Sequence, residues 1–220
     1  MKKSWSYFIL LLVSVGAWAQ EPAAGPPADQ ALARLMAGNK RYVRHKEQHP
    51  DQSLARRKEL TAGQHPFAVI LGCADSRVAP ELLFDQGLGD LFDIRVAGNI
   101  VDDAVLGSIE YAVEHLGARL VMVLGHEKCG AVSAAVEAGT VAGHIKALVA
   151  AIQPSVEASG KEPGDRIHNC VIANARRVAQ QVRESEPILK DKVEKHLVKV
   201  VAADYALDSG KVNLLDAARP

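Results

Sequence analysis

The stretch Phe67-Ala68-Val69-Ile70-Leu71-Gly72-Cys73-Ala74-Asp75-Ser76-Arg77 decides the fold. Apolar residues run without a break from 67 to 71, and a glycine then leads into a turn that carries a thiol, a carboxylate and a guanidinium. A short continuous apolar run that ends at turn residues is the pattern of a strand buried on both faces, as in a parallel sheet covered by helices. Residues 92–96 and 120–124 are similar runs, dense in apolar and β-branched side chains. Between them Ala104, Val105, Ile109, Ala112, Val113 and Leu116 recur at helical spacing across 101–116. Strand alternating with helix predicts an α/β fold, with a mostly parallel central β-sheet flanked by helices.

Outward from this unit, helical spacing returns over 132–138, 145–159 and 167–183, the last with a charged, solvated face. Residues 197–205, the Asp208-Ser209-Gly210 turn and residues 212–215 predict a C-terminal β-hairpin. Upstream, Ala31, Leu32, Leu35, Met36, Tyr42 and Val43 predict an N-terminal extension helix over 29–46, with Asp29 as its cap. Such a helix packs either on a partner subunit or on its own domain. Pattern alone leaves both open.

Residues 1–19 carry Lys2 and Lys3, an apolar run around Phe8 to Val13, and Ala17-Trp18-Ala19 ahead of Gln20. That order describes a cleavable secretory signal peptide, too short in its apolar part to span a bilayer. The expected location is therefore periplasmic or secreted. Residues 20–28, rich in Pro and Ala, read as a linker, and 29–220 as a single domain. Loss of Lys2 and Lys3 leaves 24 basic residues against 26 acidic ones, with no long block of either sign. That balance points to no nucleic-acid partner and, after signal cleavage, no membrane partner.

All three cysteines, Cys73, Cys129 and Cys170, lie beyond residue 19, so they cannot all pair internally. One reading is a disulfide between Cys73 and Cys129, since export favours disulfides. The neighbours of each cysteine point elsewhere. Cys73-Ala74-Asp75-Ser76-Arg77 follows one strand directly, and Gly125-His126-Glu127-Lys128-Cys129-Gly130 follows another. Ligands of open α/β sheets bind at these carboxyl ends. Two thiolates and an imidazole suit zinc, and three protein ligands leave a fourth position open, the arrangement of a catalytic rather than a structural ion. Cys73, His126 and Cys129 are accordingly the expected ligands. Asp75 is a fourth ligand only in a closed form of the site; otherwise Arg77 pairs with it, keeps it ionised and holds it off the metal. Cys170, without His or Cys neighbours, reads as a core residue.

With Cys73-Ala74-Asp75-Ser76-Arg77 followed by His126-x-x-Cys129-Gly130, the chain resembles the β-class carbonic anhydrases. The likeness extends over about residues 29 to 216, including Arg95-Val96-Ala97-Gly98-Asn99, Ser108-Ile109-Glu110-Tyr111-Ala112 and the segment from Tyr205 to Gly210. It implies hydration of carbon dioxide to bicarbonate and a proton, with one zinc ion per chain, Asp75 and Arg77 as the catalytic dyad, and a homodimer or dimer of dimers. It further implies substrate contacts from Gln64, Phe92, Ala97 and Gly130, Gln64 in some members from across the dimer interface. The chemistry fits, because zinc lowers the pKa of water from about 15.7 to about 7. The released proton leaves through buffer or a shuttle, for which His115 and His144 are titratable candidates. Some members hold bicarbonate in an inhibitory pocket of Trp, Arg and Tyr; here Arg95 and Tyr205 match but Ile70 replaces the Trp, which implies that Asp75 stays paired with Arg77 near neutral pH. Two other functions compete with this one. They are hydrolysis of carbon disulfide or carbonyl sulfide by related enzymes, and a non-enzymatic zinc-binding or thiol-redox role for Cys73 and Cys129.

Overall fold

The computed structural model describes residues 24–137 and 139–215. The expected signal peptide, residues 1–19, lies outside the described residues. Among the described residues, five strands form one sheet: β1 (Ala68–Gly72), β2 (Leu91–Arg95), β3 (Leu120–His126), β4 (Lys199–Tyr205) and β5 (Val212–Leu214). Their spatial order is β2-β1-β3-β4-β5. The first four are parallel, and β5 runs antiparallel to β4, which forms the expected C-terminal hairpin.

Every residue of β1 and β3 is buried, as continuous apolar runs require when helices cover both faces. β2 departs from the expectation of a buried strand. It is the sheet edge, mostly half-buried, and its sequence Leu91-Phe92-Asp93-Ile94-Arg95 alternates apolar and charged residues accordingly. β3 extends past the expected end at residue 124, because Gly125 and His126 continue the ladder opposite Asp204 and Tyr205.

Among the described residues, eight α-helices surround the sheet: α1 (Ala28–Val43), α2 (Leu54–Glu59), α3 (Pro80–Leu83), α4 (Asp103–His115), α5 (Gly130–Glu137), α6 (Ile145–Ser159), α7 (Arg166–Glu184) and α8 (Ile188–Glu194). α4 and α7 cover one face, where Val105, Ile109, Ala175 and Val178 meet Val69, Leu71, Val121 and Val123. α1 covers the other, where Ala31 and Leu35 join Ile70, Met122 and Val201. The N-terminal helix therefore packs on its own domain. Its approach is close: a Cβ on Gly38 would lie 1.7 Å from the Phe84 carbonyl oxygen, a distance only glycine allows. Asp29 is not the cap as expected. Pro27 holds the N-cap position with no side-chain hydrogen bond, and Asp29 sits in the first turn, ion-paired with Lys199 at 2.7 Å. The end of the expected linker is also part of the fold, since the Gly25 amide donates to the Gly117 carbonyl at 3.0 Å.

Strand order places the functional end of the sheet. From β1 the chain moves outward to β2, then returns across β1 through α4 to β3 on the other side. The reversal opens a crevice at the carboxyl ends of β1 and β3.

Candidate metal centre

Cys73 leaves the end of β1 and His126 ends β3. Lys128, at a left-handed φ of 52°, turns the chain so that Cys129 comes back beside them just before α5. The ligand atoms of Cys73, His126 and Cys129 all lie within 4.8 Å of one another, and all three residues are buried. The two Sγ atoms are 4.0 Å apart and unbonded, about 2 Å further than the alternative Cys73–Cys129 disulfide requires.

The imidazole is pre-oriented as a ligand. Its Nδ1 lies 2.9 Å from the Glu127 carbonyl oxygen. A carbonyl only accepts, so Nδ1 carries the proton and Nε2 presents its lone pair to the cluster. Nε2 is buried without a hydrogen-bond partner, an orphan whose natural occupant is a cation.

The two thiols are biased in opposite directions. A hydrogen bond from Cys129, opposed by burial and aided by the amides of Gly98 and Asp75, brings Cys73 down to about 4. The Cys73 sulfur and burial push Cys129 up, although amides of Val132 and Ala131 at the start of α5 pull it the other way. Cys73 is thus the thiol that ionises first, with Cys129 as its hydrogen-bond donor. A divalent cation would displace the Cys129 proton, and the donor set of two sulfurs and one nitrogen fits zinc.

Asp75 and Arg77 are joined as the sequence suggests. Arg77 donates from Nε to Oδ1 at 2.9 Å, from Nη2 to Oδ2 at 2.7 Å, and from its backbone amide to Oδ1 at 3.0 Å. The guanidinium bonds, resisted by partial desolvation, hold the Asp75 carboxyl far below its ordinary value. Oδ2 stands 3.9 Å from His126 Nε2, beside the site. Arg95, which the sequence reading matched only to an inhibitory pocket, donates to the carbonyls of Cys73 at 3.0 Å and Asp75 at 2.6 Å, so it pins the ligand loop.

The remaining site residues are more scattered. Ala97 opens a 3-10 turn whose next residue, Gly98, donates its amide to Cys73 Sγ at 3.3 Å. Gly130 starts α5 and is exposed, and a Cβ there would meet nothing within 4 Å, so packing does not demand glycine. Phe92 sits mid-strand on β2, with its ring 6.2 Å from Tyr111 of α4. Gln64 is exposed in the loop ahead of β1. Ile70 is fully buried in the apolar core that also contains Tyr205. Among the shuttle candidates, His115 ends α4 against Tyr111 at 5.3 Å, and His144 is exposed before α6. Cys170 is fully buried, as expected of a core residue.

The carbonic anhydrase family profile matches residues 68–212. Carbonic anhydrase 2 of Mycobacterium tuberculosis is 41% identical over 199 residues, which cover 89% of this chain and 95% of that one. A β-carbonic anhydrase structure from Aspergillus fumigatus superposes with a TM-score of 0.65 at 28% identity, covering 86% of this chain and 92% of that one. The chain belongs to the β-carbonic anhydrase family. A carbonic anhydrase of Mycolicibacterium smegmatis is 40% identical over 88% of this chain and 95% of its own length. One of two tetrameric β-carbonic anhydrases of Sordaria macrospora shares the fold at a TM-score of 0.69 and 22% identity, covering 86% of this chain and 95% of that one. Family membership adds zinc dependence to a donor set that already fits that ion.

Proposed function

We propose that this chain catalyses the reversible hydration of carbon dioxide to bicarbonate and a proton, at a site where Cys73, His126 and Cys129 hold one zinc ion. The observation that carries the reading is the convergence of two sulfurs and an unpartnered Nε2 at the switch point, with an ionised Asp75 beside them. Bound there, zinc supplies the Lewis acidity that makes water a usable nucleophile near neutral pH.

The residues divide the remaining work. Asp75, ionised at any physiological pH, accepts a hydrogen bond from the nucleophile and so directs its lone pair toward the carbon of the substrate. Arg77 occupies both carboxylate oxygens and keeps Asp75 out of the ligand set. Arg95 fixes the carbonyls on either side of Ala74, which sets the angle at which Asp75 approaches. In this reading Ala97 and Phe92 give the apolar side of the substrate pocket, and Gly130 leaves room at its mouth. Gln64 contributes a hydrogen bond to substrate; its exposure leaves it available to the site of a second copy. Near neutral pH the site stays open, because Ile70 lies in the apolar core and offers no polar contact to a second bicarbonate.

The chain works outside the cytoplasm as a dimer or dimer of dimers, its domain spanning 29–220 after removal of residues 1–19. Among the described residues no helix is long and apolar enough to cross a membrane. N-terminal sequencing of the exported protein tests the cleavage, with Gln20 as the expected first residue. Stopped-flow carbon dioxide hydration, with zinc measured on the same sample, tests the activity. One zinc per chain with rapid hydration supports the proposal, and a zinc-free, oxidised and inactive protein would replace it with the thiol-redox reading.

A further inference from the structure

Behind the metal centre lies a line of buried polar side chains that the proposed chemistry does not use. Asn174, on α7, is 1% exposed. Its Nδ2 donates to the Gly98 carbonyl at 2.9 Å, and its Oδ1 accepts from Ser155 Oγ of α6 at 3.2 Å. Ser155 Oγ in turn accepts from Arg177 Nε at 2.8 Å, while Arg177 Nη2 donates to the Ala151 carbonyl. The direction of each bond is fixed by chemistry. A carbonyl only accepts, so the amide nitrogen of Asn174 faces Gly98, and a guanidinium only donates, so the single Ser155 proton is turned toward Asn174.

Gly98 is the point at which this line meets the metal centre. It adopts a φ of 75° and Asn99 a φ of 41°, two successive left-handed residues. A Cβ at Gly98 would lie 2.8 Å from Ile152 Cδ1 and 3.2 Å from Ala131 Cβ, so the turn is wedged between α5 and α6. The turn aims the Gly98 amide at Cys73 Sγ, 3.3 Å away. Burying a side-chain amide costs free energy unless both of its ends are bonded. Here both ends are used, and the donor end grips the residue that contacts a metal ligand.

We propose that Asn174 is a positioning residue for the metal centre: by holding the Gly98 carbonyl it fixes the Gly98 amide that hydrogen-bonds the Cys73 sulfur. An N–H donor on a ligating thiolate withdraws electron density from sulfur and leaves the metal a stronger Lewis acid. Ser155 and Arg177 act one step further back, setting the orientation of the Asn174 amide.

The proposal rests on the zinc reading, so the test measures metal and sulfur separately. Asn174→Asp keeps the shape and removes the donor. In the holoenzyme it is expected to release zinc to a chelator about 10-fold faster, the low end of the range for residues that support a ligand. In the cobalt-substituted protein the sulfur-to-metal charge-transfer band is expected to move to longer wavelength, because a thiolate that loses its N–H donor gives up an electron more readily. Ser155→Ala, which leaves the Gly98 contact in place, should shift both readings in the same direction by less. If Asn174→Asp does not fold, Asn174→Ser gives the same two readings. A variant that melts earlier but keeps the wild-type zinc release and the wild-type band overturns the proposal and leaves Asn174 a packing residue. A wild type that binds no zinc overturns the metal reading itself, and this one with it.

Discussion

Asp75 carries two interactions that ordinarily compete, a bidentate ion pair with Arg77 and a place beside the Cys73, His126 and Cys129 cluster. An exposed ion pair of this kind contributes about 0–1 kcal/mol, so its value lies in fixing where the carboxylate points. Asp75→Ala is therefore expected to keep one zinc per chain and to lower the hydration rate about 100-fold, the low end of what a positioned proton acceptor supplies. Zinc analysis and stopped-flow kinetics on one preparation check this, and loss of zinc in the variant would instead make Asp75 a ligand. Asp93 on β2 presents the opposite case. Burial, then the Glu81 charge and a hydrogen bond to Glu81, push its carboxyl from 3.8 up to about 8, and its Oδ1 has no hydrogen-bond partner. The folded chain thus keeps a proton that the unfolded chain releases, so stability is full below about pH 4 and declines as pH rises toward 8. Asp93→Asn, neutral at every pH, should match wild type at pH 4 and exceed it at pH 8 by about 1–3 kcal/mol, the cost of a buried group left unsatisfied. Thermal melts at the two pH values measure the difference, and an equal Tm at pH 8 would show that water reaches Asp93.

Helix α1 docks through a clasp at the far end of α3. Asp85 accepts from Arg41 Nε of α1 at 2.5 Å and from the amides of Gln48 and His49 at 2.9 to 3.1 Å. Burial raises its pKa, but Arg41 and the two amides outweigh burial and hold it below the ordinary value. The stabilisation is present above the ordinary carboxylate range and is lost as pH falls below about 4. Asp85→Ala should cost roughly 3 kcal/mol at pH 7, since it strands a partly buried guanidinium. The gap from wild type should narrow in melts below pH 4, and a gap that does not depend on pH would assign the loss to packing alone. Nothing in the sequence around Asp85 announces this clasp, because α3 is a single turn of four residues and too short for periodicity to register. α2, at six residues, escapes for the same reason. Longer elements were legible: α6 spans Ile145–Ser159, as its apolar spacing predicts, and α7 begins at Arg166, one residue earlier than expected, where Asp165 caps it. The edge position of β2 was missed because a run of side chains does not state which neighbours it lacks, although its two charges hinted at it.

In the whole molecule, Cys73, His126 and Cys129 tie β1, β3 and the start of α5 together, and two of them belong to the apolar cluster formed with α6 and α7. Their clustering was legible in the sequence because donor residues at strand ends are rare and chemically specific. Asn174 was not, since it stands 76 residues from Gly98 and only the packing of α7 brings them together. Because the unfolded chain has no such site, zinc bound there would add directly to folding stability. At a zinc concentration 1,000-fold above Kd the gain is about 4 kcal/mol, or roughly 8–16 °C in Tm for a chain of this length. Chelation should remove it and change the chemistry of the sulfurs. The Sγ atoms, 4.0 Å apart, need to close by about 2 Å to form a bond, a small movement for a site released from its ion. Oxidation of the chelated protein should therefore leave one titratable thiol per chain, Cys170, which is fully buried. The zinc-loaded protein should retain all three cysteines as thiols under the same oxidant. Three thiols in both samples would show that the fold keeps the sulfurs apart without metal. A single thiol in both would mean that the chain does not hold its zinc against the oxidant, and the hydration activity would then depend on metal supply.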